Sequence, residues 1–205
     1  MLHRRHSGLC SAPGSSMALI VQTTVVVLIL GTRVDFASCS NPDQDDLENN
    51  PELQIYQDGT MCTPVPGKFY LVYRNFEEDP IFGGTAKCVI VTESNKTATG
   101  SLLTATYEGG SSTYSTSLTS SPGYDVKNVL QLHAKDGTKD LVIAYFECAK
   151  CKLLRNKYIT SGPACSLYVF GSDGLPKDHT CCDFVFDVLC GASPKYKIYD
   201  DSCEK

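Results

Sequence analysis

Histidine is scarce in this chain: there are four in 205 residues, and beyond residue 40 only His133 and His179 remain. A Ser or Cys nucleophile needs a positioned base beside it, and zinc sites commonly draw on His at ligand spacing. The sequence also has no Gly-x-Ser-x-Gly elbow, no metal-spaced His pair and no glycine-rich phosphate loop, so neither an enzyme nor a metal or cofactor site is expected. His133 falls on a predicted strand and reads as an ordinary core or surface residue. Basic clusters are missing too. With 18 Lys and Arg against 23 Asp and Glu, the net charge is −5, which argues against nucleic acid or an anionic membrane surface as partner. Long apolar runs are also lacking: the best, residues 18–30, is interrupted by Gln22, Thr23 and Thr24 and falls short of the ~20 residues a membrane span needs. There is no internal repeat and no low-complexity segment.

That apolar run, followed by small residues at Ala37, Ser38 and Ser40, has the pattern of a signal peptide, with Met17 the expected functional start. The expected domains are therefore a signal at 1–40 and one domain at 41–205, long enough to bury about 70% of its unfolded surface. Removing residues 1–40 takes away Arg4, Arg5, Arg33 and Asp35, which makes the net charge more negative by two. The acidic stretch 41–52 reads as a solvated N-terminus.

Cysteine is abundant. Of eleven, nine lie beyond Cys10 and Cys39: Cys62, Cys88, Cys148, Cys151, Cys165, Cys181, Cys182, Cys190 and Cys203. In an oxidising compartment this reads as a disulfide framework. The odd number leaves either a cleavage before Cys39 that adds a tenth, or one thiol free or shared with another chain. Cys148-Ala-Lys-Cys151 could suggest a redox dithiol or half a zinc site, but it lacks the βαβ context of the first and the second ligand pair of the second. Two cysteines leading to separate bridges is the reading kept.

Segments rich in Tyr, Val, Ile, Thr and Leu alternate with turn residues, as in an antiparallel meander. Strands are predicted at 69–76, 87–92, 98–107, 113–118, 126–133, 141–146, 152–156 and 166–170. Turn signals between them include Gly83-Gly84, Gly109-Gly110, Asp136-Gly137 and Asp173-Gly174. A short helix is predicted at 51–57 and another at 181–189, ending at Gly191, with an extended piece at 195–199. Eight meandering strands followed by a helix predict an all-β, disulfide-stapled, up-and-down barrel with short N-terminal and C-terminal helices, an architecture able to hold one small ligand.

FYLVYRNFEEDPIFGGTAKCVIVT (69–92), CSLYVF (165–170) and CCDFVFDVLCGASPKYKIYDDSC (181–203) together resemble the tick salivary lipocalins of the histamine-binding-protein family. The resemblance runs from about residue 51 to 203. It implies a secreted salivary lipocalin that sequesters small host inflammatory mediators and so evades host defence, with a biogenic amine or an eicosanoid as the partner in the barrel. The alternative within the same family is a barrel that serves as a scaffold and binds a host protein through loops such as 109–112 or 156–163. The resemblance further implies a bridge between Cys88 and Cys203, and one from Cys151 to Cys181 or Cys182. Partners for Cys62, Cys165 and Cys190 stay open. The expected state is a monomer, or a covalent dimer if a cysteine is unpaired.

Amine-binding members carry Cys-Asp-aliphatic, then Glu-Leu followed by Trp or Tyr. Here the frame reads Cys151-Lys152-Leu153 and Ser166-Leu167-Tyr168, so both acids are missing, and the chain has no Trp at all. A buried ammonium needs a carboxylate partner. If Lys152 points into the barrel, with Arg155 nearby and Ser166 as a hydrogen-bond donor, an anionic lipid is implied. If Lys152 points to solvent, acids such as Glu147 or Asp140 could serve an amine elsewhere. Candidate cavity aromatics are Phe69, Tyr70, Tyr73, Tyr107, Tyr114, Tyr145, Phe146 and Tyr168, of which Tyr70, Tyr73, Tyr107, Tyr145 and Tyr168 join Lys152 and Ser166 as expected ligand contacts. Asn95-Lys96-Thr97 is the N-glycosylation acceptor.

Overall fold

Eight antiparallel strands close into a barrel in the computed structural model, which describes residues 49–61, 67–95, 97, 100–192 and 194–204. All of these belong to one contact unit, Ser40–Lys205. The expected signal at 1–40, together with Cys62 and Lys96, lies outside the described residues.

The strands are β1 (Lys68–Arg74), β2 (Ile90–Ser94), β3 (Leu102–Tyr107), β4 (Gly110–Thr119), β5 (Val129–Ala134), β6 (Gly137–Glu147), β7 (Cys151–Asn156), β8 (Cys165–Gly171) and a two-residue β9 (Tyr196–Lys197). Each of β2 to β8 pairs with its neighbour in sequence, and β1 pairs with both β2 and β8, which closes the ring. Such closure gives each of β1 to β8 a partner on both sides. β9 adds to the end of β1 through Tyr73 and Arg74.

Local chemistry explains where the elements begin and end. β3 and β4 meet in a two-residue turn, with Tyr107 paired to Gly110 and Gly109 at φ 88, so β4 starts earlier than predicted. β2 starts later than predicted because Cys88 sits at φ 59, a left-handed conformation that interrupts an extended run. The N-terminal helix is a 3-10 helix, Pro51–Tyr56, capped by the Asn50 side chain on the Glu52 N–H. The C-terminal helix is α1, Thr180–Cys190.

Alternation along the strands sorts side chains into two layers. Leu71, Phe82, Val91, Leu103, Leu130, Leu132, Leu141 and Leu154 fill the barrel. Val72, Leu153, Leu167 and Val169 face outward and receive Cys182 and Phe186 of α1. Disulfides Cys151–Cys182 and Cys165–Cys190 fasten the two ends of α1 to β7 and β8, and Cys88–Cys203 ties the C-terminus to the lead-in of β2. Cys148 is also disulfide-bonded, whereas Cys181 is free and exposed.

Candidate ligand-binding site

Register places Phe146, Lys152, Tyr168 and Leu71 side by side on the inner face of β6, β7, β8 and β1. Lys152 is therefore an interior residue. It is 8% exposed, and its Nζ lies 5.0 Å from the ring centre of Phe69 and 4.7 Å from that of Phe146. The alternative expectation, a Lys152 that points to solvent, is corrected by this geometry.

The partner of the ammonium is Glu93 of β2, at 3.5 Å from Nζ to Oε1. Sequence reasoning missed Glu93, although Val89, Val91 and Glu93 share one phase of the alternation and the two valines are buried. A carboxylate and two aromatic faces around a cation are what an amine ligand would need. In this chain that place is taken by Lys152 itself. The two acids considered as substitutes are elsewhere: Glu147 pairs with Lys150 and accepts from the Tyr145 hydroxyl, and Asp140 accepts from Gln131.

One end of the barrel is plugged by the loop after β1. Phe82 is buried there, edge-on to Tyr114 and Tyr168, and the Tyr114 hydroxyl donates to the Ile81 carbonyl at 2.9 Å. Asp79 organises the plug by accepting from the Ile81 and Phe82 N–H groups and from the Tyr158 hydroxyl at 3.0 Å. Burial pushes the Asp79 carboxyl above its ordinary range against those hydrogen bonds and the attraction of Arg74. Burial likewise pushes the hydroxyls of Tyr158 and Tyr168 well up, Asp79 adding to the effect. Arg74 donates to the Gly84 carbonyl at 2.7 Å and holds the loop down.

Of the other expected contacts, Ser166 and Tyr168 are interior and buried, and Ser166 Oγ accepts from Asn156 Nδ2 at 2.6 Å. Tyr107 is half-buried against the interior cluster, its hydroxyl 2.9 Å from Ser112 Oγ. Tyr70, Tyr73 and Tyr145 do not line the interior, which corrects their expected role. Tyr70 packs on Tyr199, Tyr73 on Phe186 and His179, and Tyr145 in the layer under α1. Arg155 also faces outward, donating to the Leu189 and Pro163 carbonyls.

Little space is left inside. Two voids of about 20 Å³ touch Lys152 and Glu93, one continuing to Gly59 and Thr116, the other to Phe69, Phe82 and Tyr168. Each has room for about one water molecule. A groove of about 380 Å³ lies at the outer rim, between Asn75, Phe76, Pro163, Pro194 and Tyr196.

Residues 47–205 match the family model described as tick histamine binding protein. No curated protein matches the chain in sequence. Similar solved structures include the AM182 serotonin complex (18% identity over 67% of this chain and 85% of that one, TM-score 0.47). Japanin from Rhipicephalus appendiculatus bound to cholesterol is 17% identical over 68% and 96%, with TM-score 0.46. H1 crustacyanin from the lobster Homarus americanus is 17% identical over 74% and 85%, with TM-score 0.48.

Proposed function

Because the chain belongs to the tick histamine-binding protein family, we propose that it is a secreted, non-catalytic binding protein whose barrel takes an anionic amphiphile of the fatty-acid or eicosanoid class. By sequestering such a mediator in saliva it would blunt a host's inflammatory response. The observation that carries this reading is the Lys152 ammonium inside the barrel. An incoming ammonium meets Lys152 as a like charge, whereas an incoming carboxylate can pair with Lys152 by displacing Glu93. The walls around it, Phe69, Phe82, Val91, Leu103, Leu130 and Leu141, suit an acyl chain. The three described disulfides and the family support secretion. N-glycosylation at Asn95 belongs to the same reading, its side chain lying exposed at φ 50. A mass loss on amidase treatment of the secreted protein checks it, and an unchanged mass removes it.

A ligand carboxylate must compete with Glu93 for Lys152 and must displace interior side chains, since the voids are small. Calorimetric titration of the folded chain with arachidonate, leukotriene B4, histamine and serotonin tests the reading. Micromolar or tighter binding of a lipid is expected, about tenfold weaker in Lys152→Ala and tighter in Glu93→Gln. Micromolar histamine binding by the wild-type chain would overturn it.

A second reading, a scaffold for a host protein, is favoured by the filled interior and by the groove of about 380 Å³ on the outer rim. Silence of all four ligands moves the function to that reading.

A further inference from the structure

The outer face of α1 carries two of the most exposed large apolar side chains among the described residues, Phe184 at 68% and Val188 at 56%. Cys181 lies in line with them, and its thiol is free while the other seven described cysteines are disulfide-bonded. Positions 181, 184 and 188 are spaced by three and then four, which places them on one stripe of the helix. The opposite stripe, Cys182 and Phe186, is buried on the barrel.

We propose that this stripe is the contact between two copies of the chain, α1 lying parallel to α1 about a two-fold axis, with a disulfide joining the two Cys181 residues. In a parallel pair related by such an axis each stripe residue faces its own counterpart. Phe184 meets Phe184, Val188 meets Val188, and the thiol finds a thiol in register. A second copy is the one partner certain to supply a cysteine at that place.

Charge agrees with this occupant. The acids flanking the stripe are engaged within their own chain, Asp183 with His179 Nδ1 at 3.0 Å and Asp187 with Lys195 Nζ at 2.8 Å. Neither carboxylate is left without a partner beside the stripe, and Asp187 is balanced by the Lys195 ammonium, so two copies can bring the stripes together although the chain carries a net charge of −5. Area explains why the bond is needed. A helix of 11 residues is roughly 16 Å long, and one face of it falls well below the about 800 Å² per partner of a stable interface. The covalent link makes up the deficit by turning association into an intramolecular contact. In the joining step two thiols lose two protons and two electrons to a disulfide oxidant such as glutathione disulfide, which leaves as two thiols, and one S–S bond forms.

Non-reducing electrophoresis and intact mass of the folded, air-oxidised chain test the proposal. A species of twice the chain mass, returned to single mass by dithiothreitol and absent in Cys181→Ser, is expected. In the Cys181→Ser background, Phe184→Cys should restore a reducible dimer, because a parallel two-fold pair also brings residue 184 to itself. Phe184→Asp with Cys181 retained should lower the dimer fraction severalfold while far-UV circular dichroism stays unchanged. A wild-type chain that stays monomeric, with Cys181 titratable or capped by a small thiol, overturns the proposal. So does a Phe184→Cys variant that folds but does not cross-link.

Discussion

Lys152 and Glu93 form an ion pair inside the barrel, both sheltered, with side-chain exposures of 10% and 14%. Removing one member of such a pair costs more than removing both, because the survivor keeps its desolvation penalty. A double-mutant cycle of Lys152→Met and Glu93→Gln is therefore expected to show a coupling of about 1 kcal/mol in chemical denaturation, with the double variant more stable than the sum of the single ones predicts. Additivity within error would mean that the two do not act as a pair. Asp79 poses a different question. Its folded-state carboxyl is held above the ordinary value of 3.8, so the folded chain binds that proton more readily than the unfolded chain does. The penalty is present at neutral pH and is relieved as pH falls through the raised value. Wild type should thus gain stability relative to Asp79→Asn between about pH 7 and pH 4, read from urea midpoints. A constant difference across that range would remove Asp79 as the cause.

At the level of the helix and strands, the two faces of α1 make opposite predictions. Phe186 is fully buried under the helix, and Phe186→Ala should cost about 3 kcal/mol. In the Cys181→Ser monomer, Phe184→Ala should stay within about 0.5 kcal/mol of its parent. Equal losses would mean that the helix does not sit on the barrel through Phe186. Gly171, at the end of β8, has no room for a side chain, since a Cβ there would lie 1.9 Å from the Gly174 carbonyl oxygen. Gly171→Ala should therefore lower the melting temperature by several degrees. Strands were legible in sequence because apolar residues alternate, and the β3–β4 and β5–β6 hairpins because glycine marks their turns. The site was less so, and the cause is local. Register shifts between Leu71 and Tyr73 and between Ile143 and Tyr145 invert the alternation. They turn Tyr73 and Tyr145 outward and bring Arg74 and Phe146 in. Strict alternation from Phe69 or Leu141 gives the opposite assignment. Glu93 needed no such correction; a charged residue in an apolar phase was the available signal.

Taken whole, the molecule is a ring closed by hydrogen bonds and reinforced by bridges that reach far along the chain. Cys88 and Cys203 are 115 residues apart, and closing a loop of about that length is worth about 5 kcal/mol on a chain-entropy account. Paired Cys88→Ser and Cys203→Ser substitution should lower the melting temperature by roughly 10 °C; a change below about 2 °C would show that the C-terminal segment adds little. Lys152 has a consequence at this scale as well. The barrel carries a tethered competitor for an amine, an ammonium that cannot diffuse away and whose effective concentration far exceeds that of any free ligand. Cutting the tether, in Lys152→Ala, leaves Glu93, Phe69 and Phe146 in place around an empty position. The same substitution that weakens a carboxylate ligand should then admit a small alkylammonium at least about tenfold better than wild type does. One side chain would thus set the sign of charge the barrel accepts.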